Sequence, residues 1–515
     1  MKKILFIFVI ITALMAGCSK DFLDRNSLTE MSNETFWKTE SDALLGLDAC
    51  YDALQPRGIL NTNYWGNGRE MECEMSDNGV HSWWSGCPLR DQASLSASDW
   101  NAGSETWQPY YVAIARCNAV ISQVGKMTAI DANDARIIAA EARFIRAYCY
   151  NMLVMLYRDV PLITEPQAAT ASHKAKSTKD EIVTFLITDL KDIVSILPAT
   201  VPADKFGHAT KGAAQALLAR VYLWYGYYAE AAQAAKDVMD GGNYSLFPDY
   251  KALFSPANET CNEIIFSIRY TRGPSDDGFR EMEEGGGFST DPEAHISPTQ
   301  NLADAFYCTD GLPVSVSPLY NANIPSQNRD PRFDATIVSK GSLWFGTTVD
   351  MNKMQTTGMA WRKWAEEGAG DKRDTDQDYY LLRYGHILLI RAEALVQSGT
   401  YTEAEVDNLI NQLRARVGMP LVAAVEGTGL TKQQLLDLVK HESRVETAFE
   451  NLREYDLKRW GDVEKSMVIY NQECDKNPQI GGLKWTNGKS NYFWPLPQHE
   501  IDINKPELVQ ATEWQ

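Results

Sequence analysis

The chain is short of positive charge. Its 515 residues carry 49 Lys and Arg against 68 Asp and Glu, a formal net charge of −19. That balance excludes the broad positive field by which proteins hold nucleic acid or an anionic membrane surface. Beyond its first residues the chain also lacks a long apolar run. YGHILLIRAEALV at 384–396 is interrupted by charge and predicts an amphipathic or buried helix, not a membrane span. The seven histidines are dispersed and give no metal-ligand spacing. Neither CxxC nor the esterase elbow GxSxG occurs. HESRV at 441–445 has Val445 where a second zinc-binding histidine belongs, and predicts a solvated helix face. In GGLKWTNGKS at 481–490 the residue five before Gly488 is Leu483, so no phosphate loop forms. DTDQD at 374–378 starts like a calcium loop, but Tyr379 replaces the glycine and Gly385 the bidentate glutamate, which leaves at most a weak site. No pair of carboxylates is marked for glycoside cleavage.

What is present begins at the amino terminus. Met1, Lys2 and Lys3 precede an uncharged apolar stretch, Ile4 to Leu14, and Ala16 and Gly17 then lead into Cys18. The stretch is shorter than the ~20 residues of a permanent span and reads as a cleaved signal peptide, 1–17. The small pair before Cys18 resembles a bacterial lipoprotein signal, with Met15 standing where leucine is usual. That resemblance implies diacylglycerol on the Cys18 sulfur and an acyl chain on its amino group. Several chains hold a protein at a membrane where one chain of ~0.8 kcal/mol per methylene is marginal.

The rest, 18–515, reads as one composite body with a substantial core, since 44% of the residues are hydrophobic and 10% aromatic. Helical spacing dominates 106–240 and returns at 381–416 and 431–460, where Thr431 and Gln434 form a capping box and the run stops at Trp460 and Gly461. Ala219, Gly226, Tyr228, Glu230 and Ala231 recur with the same offsets as Ala392, Gly399, Tyr401, Glu403 and Ala404. Two antiparallel helices joined at a Gly turn, with Ala at the crossing, make such a pattern, and it looks like a tetratricopeptide unit. The predicted fold is mainly α: tetratricopeptide-like pairs form a scaffold at 106–240 and 381–465. A loop-rich, irregular half at 60–105 and 241–380 is the predicted ligand face.

Fourteen tryptophans divide between these halves. Trp37, Trp107, Trp224, Trp460 and Trp494 lie in helical or closing segments and are expected in the core. Trp65, Trp83, Trp84, Trp344 and Trp361 lie in polar, glycine-containing segments. An indole can cover the C–H face of a sugar ring while Asn, Asp or Arg bonds its hydroxyls. NGVHSWWSGC at 78–87 offers this combination most densely, so Trp83 or Trp84 is the leading ligand platform, one of the two because neighbours in an extended loop point apart. Trp65, Trp344 and Tyr320 are the further candidates. Among the cysteines other than Cys18, Cys117 and Cys149 are expected as buried thiols, while Cys73 and Cys87 flank a loop that a disulfide would close; the pairing stays open.

Several segments together resemble the SusD/RagB family of outer-membrane nutrient-binding lipoproteins. They are CSKDFLD, FWKTESDALLGLDACYDAL, EARFIRAYCYNMLVMLYRDVPL, DYKALFSPANETCNEIIFSI, SPTQNLADAFYCTDGLP, RDPRF, LLRYGHILLIRAEAL, ETAFENLREYDLKRWGD and FWPLPQHEIDINKPELVQ, in family order. Arg158 and Asn451 stand where the family has glycine, and RKW at 362–364 resembles a scaffold element. The resemblance implies four tetratricopeptide-like pairs, no enzymatic activity and no cofactor. It also implies an oligosaccharide ligand, or in some members a peptide, and a SusC-like TonB-dependent transporter as partner at the outer membrane, facing the exterior. A glycoside hydrolase on the same scaffold is the competing class.

Overall fold

The computed structural model describes residues 36–55, 76–81, 96–98, 106–167, 173–271, 296–344, 346–349, 357–365, 376–482, 484–486, 488 and 492–515. Its long helices are α1 (Glu40–Asp52), α2 (Gln108–Val124), α3 (Ala132–Tyr157), α4 (Lys179–Val194), α5 (Lys211–Trp224), α6 (Tyr228–Asp240), α7 (Tyr384–Ser398), α8 (Glu403–Arg416), α9 (Lys432–Thr447), α10 (Arg453–Trp460) and α11 (Val463–Lys476). Side-chain caps start many of them. Asp131 accepts from the Asn133 and Asp134 amides, and reciprocal capping boxes form at Thr39 with Asp42, Thr178 with Glu181 and Thr431 with Gln434.

The helices stack as a solenoid in which α2 packs on α3, α3 on α4, α4 on α5 and α5 on α6. The stack then continues from α6 to α7, although the chain leaves it between Asp240 and Tyr384, and closes with α7, α8 and α9 against one another. Both copies of the sequence repeat are helical hairpins. Gly226 (φ +85°) joins α5 to α6 and Gly399 (φ +77°) lies between α7 and α8, a left-handed conformation that costs a Cβ-bearing residue roughly 1–2 kcal/mol. Buried alanines 213, 214, 216 and 219 on α5 face a helix whose alanines 231, 232, 234 and 235 are also buried, so the backbones approach closely. Tyr228 and Tyr401 pack against the same core. Helix α7 is buried from Tyr384 to Val396, and the charges that interrupt its apolar run are paired, Arg391 with Glu405 and Glu393 with Arg459.

Small antiparallel pairs follow: β1 (Gly79–His81), which precedes α2, with β3 (Ile296–Pro298) of the excursion from α6 to α7, and within that excursion β2 (Ile264–Ile268) with β8 (Tyr379–Arg383), β4 (Ile337–Val338) with β7 (Ala360–Trp361), and β5 (Leu343–Trp344) with β6 (Thr347–Thr348). Strands β2 and β8 are buried throughout. Two helical expectations change. The run 431–460 is broken between α9 and α10, where Phe449 (φ +59°) and Asn451 (φ +55°) turn the chain. The 441–445 face is not solvated, because Glu442, Ser443 and Val445 are buried. Cys117 and Cys149 are buried free thiols, as expected; Cys73 and Cys87 lie outside the described residues. No described helix is long and apolar enough to cross a membrane.

Candidate ligand-binding site

Helix α9 is the beam from which the loop-rich half hangs. Glu442 and Glu446 lie one turn apart, and Glu450 follows beyond the helix end. Glu442 accepts from Arg332 (2.6 Å) and Arg414 (3.1 Å), and Glu446 from Arg332 (3.1 Å), Arg383 (2.8 Å) and Arg416 (2.5 Å). Glu450 pairs with Arg383 (2.7 Å) and Lys363 (2.7 Å), Glu263 with Arg383 (2.9 Å) and Arg416 (3.1 Å), and Asp330 with Arg332 (2.7 Å). Five cations thus meet five carboxylates, all with side chains almost closed to water.

Burial alone would raise the carboxyl pKa values, but the guanidiniums around Glu446 and Glu442, and the Arg383–Lys363 pair around Glu450, hold these three below the ordinary glutamate value. Lys363 moves the other way, pushed down to about 8 by burial against the opposing pull of Glu450. Each charge is committed to a partner, so the cluster is a clamp fixing the 330–333 turn, Lys363 and strands β2 and β8 to the scaffold.

The roots of two loops attach to the same region. Asp77 is bound by Arg453 (2.8 and 3.0 Å) and Arg444 (3.2 Å), and Asn78 accepts from Arg444 (2.9 Å). Burial would lift the Asp77 pKa, yet the two guanidiniums outweigh it and hold the carboxyl far below the usual range. Strand β1 follows directly and pairs with β3, while the Thr299 amide closes the pair on the Asn78 carbonyl at 2.9 Å. The second root is a bridge between Cys308 and Arg329. It is braced by His441, whose ring stacks on Tyr307 at 4.2 Å and whose Nε2 contacts the Ala305 carbonyl at 2.7 Å.

The sequences on both sides of this geometry match one family. The SusD family pattern covers residues 262–514, and a second pattern, described as starch-binding associating with outer membrane, covers 21–223. The chain belongs to the SusD family. A SusD-like protein of Formosa agariphila is 27% identical over 98% of each chain. The starch-binding protein SusD of Bacteroides thetaiotaomicron is 25% identical over 82% of this chain and 81% of its own. A crystal structure of a SusD-like carbohydrate-binding protein from Bacteroides fragilis superposes with a TM-score of 0.78 at 26% identity, covering 91% of this chain and 99% of that one.

Within this SusD-family fold the predicted site residues fare differently. Trp83 and Trp84 follow β1 by two and three residues and lie outside the described residues, as do Trp65 and Cys18. Tyr320 is partly exposed on the 309–328 loop, with the Arg329 guanidinium 5.6 Å from its ring. Trp344 is corrected: it is 0% exposed, packed with Val338, Val349 and Ala360, with the Arg362 guanidinium 5.3 Å from its ring. A sealed indole has no face for a sugar. Trp361 is likewise buried, stacked on Phe449 at 4.7 Å. Trp107, Trp224 and Trp494 are core residues, as expected, whereas Trp37 and Trp460 are only partly buried.

One cavity had no signal in the sequence. A groove of about 450 Å³ lies between α2, the 161–167 segment and the helix Gln498–Ile503. Its parts come from three distant segments, so no local pattern announces it.

Proposed function

We propose that this SusD-family protein is a cell-surface glycan receptor, lipidated at Cys18, that delivers oligosaccharides to a SusC-like TonB-dependent transporter and does no chemistry on them. Supporting this is similarity along nearly the whole chain to a carbohydrate-binding and a starch-binding member of the family. The family segments RDPRF, LLRYGH and ETAFEN supply most of the ion clamp, and Asp77, which precedes β1 and the Trp83–Trp84 stretch in sequence, is held by Arg444 of α9 and by Arg453. A rigid root and an aromatic loop suit a receptor, in which recognition depends on a preorganised surface. Tyr320 and Trp65 are proposed as the secondary ligand residues.

The test is calorimetry of the mature chain in detergent against a panel of neutral oligosaccharides including maltoheptaose, laminarihexaose and xylohexaose. Weak, enthalpy-driven binding of one class is expected, its calorimetric isotherm lost and at most millimolar affinity remaining when Trp83 and Trp84 are changed together to Ala at unchanged melting temperature. An isotherm unchanged by this double substitution rejects the platform. Product release from any of the glycans rejects a non-catalytic role, and a mature terminus free of fatty acid by mass spectrometry rejects the anchor.

A further inference from the structure

The groove beside α2 has an apolar floor and a mixed rim. Trp107 and Tyr111 lie with ring centroids 4.8 Å apart at its base, and Ile163 and Leu508 complete the lining. The Tyr111 hydroxyl is already spent on the Pro161 carbonyl at 2.8 Å, which leaves the ring to contribute carbon surface. Val112 and Ile503 remain 41% and 50% exposed at the edge, apolar area left in water beside an open cavity. The rim carries the carboxylates of Glu165 and Glu500, the Lys174 ammonium and the amides of Gln108 and Asn504. Neither carboxylate has a hydrogen-bond or ion-pair partner among the described residues. Burial pushes the Glu500 carboxyl above the ordinary value, against the opposing pull of the neighbouring His499.

This rim selects among ligands. Two carboxylates oppose an anion, and Lys174 opposes an ammonium. A purely apolar occupant would displace water from Glu500 and supply no donor, the costly case for a half-buried carboxylate. A ring with one C–H face and a rim of hydroxyls, each both donor and acceptor, satisfies floor and rim together. We infer that the groove is a second saccharide subsite, holding one sugar ring against Tyr111 with its hydroxyls on Glu165, Glu500 and the flanking amides. The inference rests on the glycan-binding reading and adds a site on the helical scaffold.

Two blocking variants, Val112→Arg and Ile503→Arg, test it from opposite walls and from exposed positions whose change leaves the core intact. Maltoheptaose, laminarihexaose and methyl β-glucoside are titrated against the mature chain, the Trp83→Ala/Trp84→Ala protein and each blocked form, by ligand-observed saturation-transfer NMR. The expected result is residual millimolar binding in the double Ala protein that weakens about tenfold, or ~1.4 kcal/mol, when either block is added at unchanged melting temperature. Sugar binding that is abolished by the double Ala change alone, or that persists undiminished with the groove blocked, overturns the subsite while the receptor reading stands. No binding of any panel sugar to any form overturns both. If phenethylamine, an apolar ammonium, binds in a block-sensitive way and the sugars do not, the groove is an amine site and the inference falls.

Discussion

Arg158 and Asn451, which the family resemblance sets against glycine, both adopt positive φ, +69° and +55°. Asparagine tolerates this conformation through its short polar side chain. Arg158 offsets it with a bidentate pair to Glu513 (2.8 and 3.0 Å) and a guanidinium 4.0 Å from the Phe493 ring, tying the end of α3 to the C-terminus. Replacing Asn451 by Val is expected to cost about 1–2 kcal/mol and by Gly to change stability by less than ~0.5 kcal/mol, measured by urea denaturation. Equal effects of the two would mean the left-handed turn is not what the position requires. Trp344 shows the opposite relation between residue and sequence. Lys340, Gly341, Ser342 and Gly346 around it read as an exposed loop, and nothing local announces that β5 and β6 fold back to seal the indole near Arg362. Local polarity reports what flanks a side chain, whereas burial depends on what returns to cover it.

Helices with their own punctuation were legible, since Gly226, Gly399 and Gly461 mark ends that φ values of +85°, +77° and +68° enforce. The break between α9 and α10 was not, because helical spacing continues through it and the turn is made by Phe449 and Asn451 instead of glycine. Nor was the partner of each charge on α9. The acidic spacing is visible, but Arg332, Arg383, Arg414 and Arg416 arrive from other elements. The clamp makes α9 the most sensitive element to charge removal. Arg383→Met strands Glu446, Glu450 and Glu263 in the interior with fewer donors and should destabilise by about 3–5 kcal/mol, read as a lower urea midpoint. Lys440→Met, in a half-exposed pair with Asp462, should cost under ~1 kcal/mol. If the two substitutions cost the same, the clamp does not hold the loop half to the scaffold.

Across the whole molecule, acid and mild base act on different parts. Asp77, Glu442, Glu446 and Glu450 have depressed values, so the stability they confer is present above the ordinary carboxylate range and is lost as pH falls through their folded values. Burial first, and then the neighbouring Asp378, pushes Glu259 up to about 8, and burial raises Asp378 to about 6 against the pull of Arg269. Burial lowers His208, yet its bond to Glu141 at 2.7 Å outweighs that and raises it. In all three the folded state holds its proton more tightly than the unfolded chain. Their contribution is full below the unfolded values and disappears as pH rises through the folded ones. The melting temperature is therefore expected to decline from pH 6 to about pH 7.5, above which the lowered Lys363 acts in the opposite sense, and Glu259→Gln, which keeps the neutral form at every pH, should flatten the decline. A profile in the variant as steep as in the parent would show that Glu259 is not its source.

The stacking of α6 on α7 across an excursion from Asp240 to Tyr384 also bears on how the chain is made. A polypeptide emerging from one end has completed α6 long before its neighbour exists, and the flank of that helix that α7 will cover must wait exposed. Closing so large a loop is slow compared with the adjacent hairpins. The latter half of the solenoid is thus expected to assemble last, after synthesis of the entire polypeptide. A nascent chain arrested before residue 384 should recruit holdases that the released protein no longer binds.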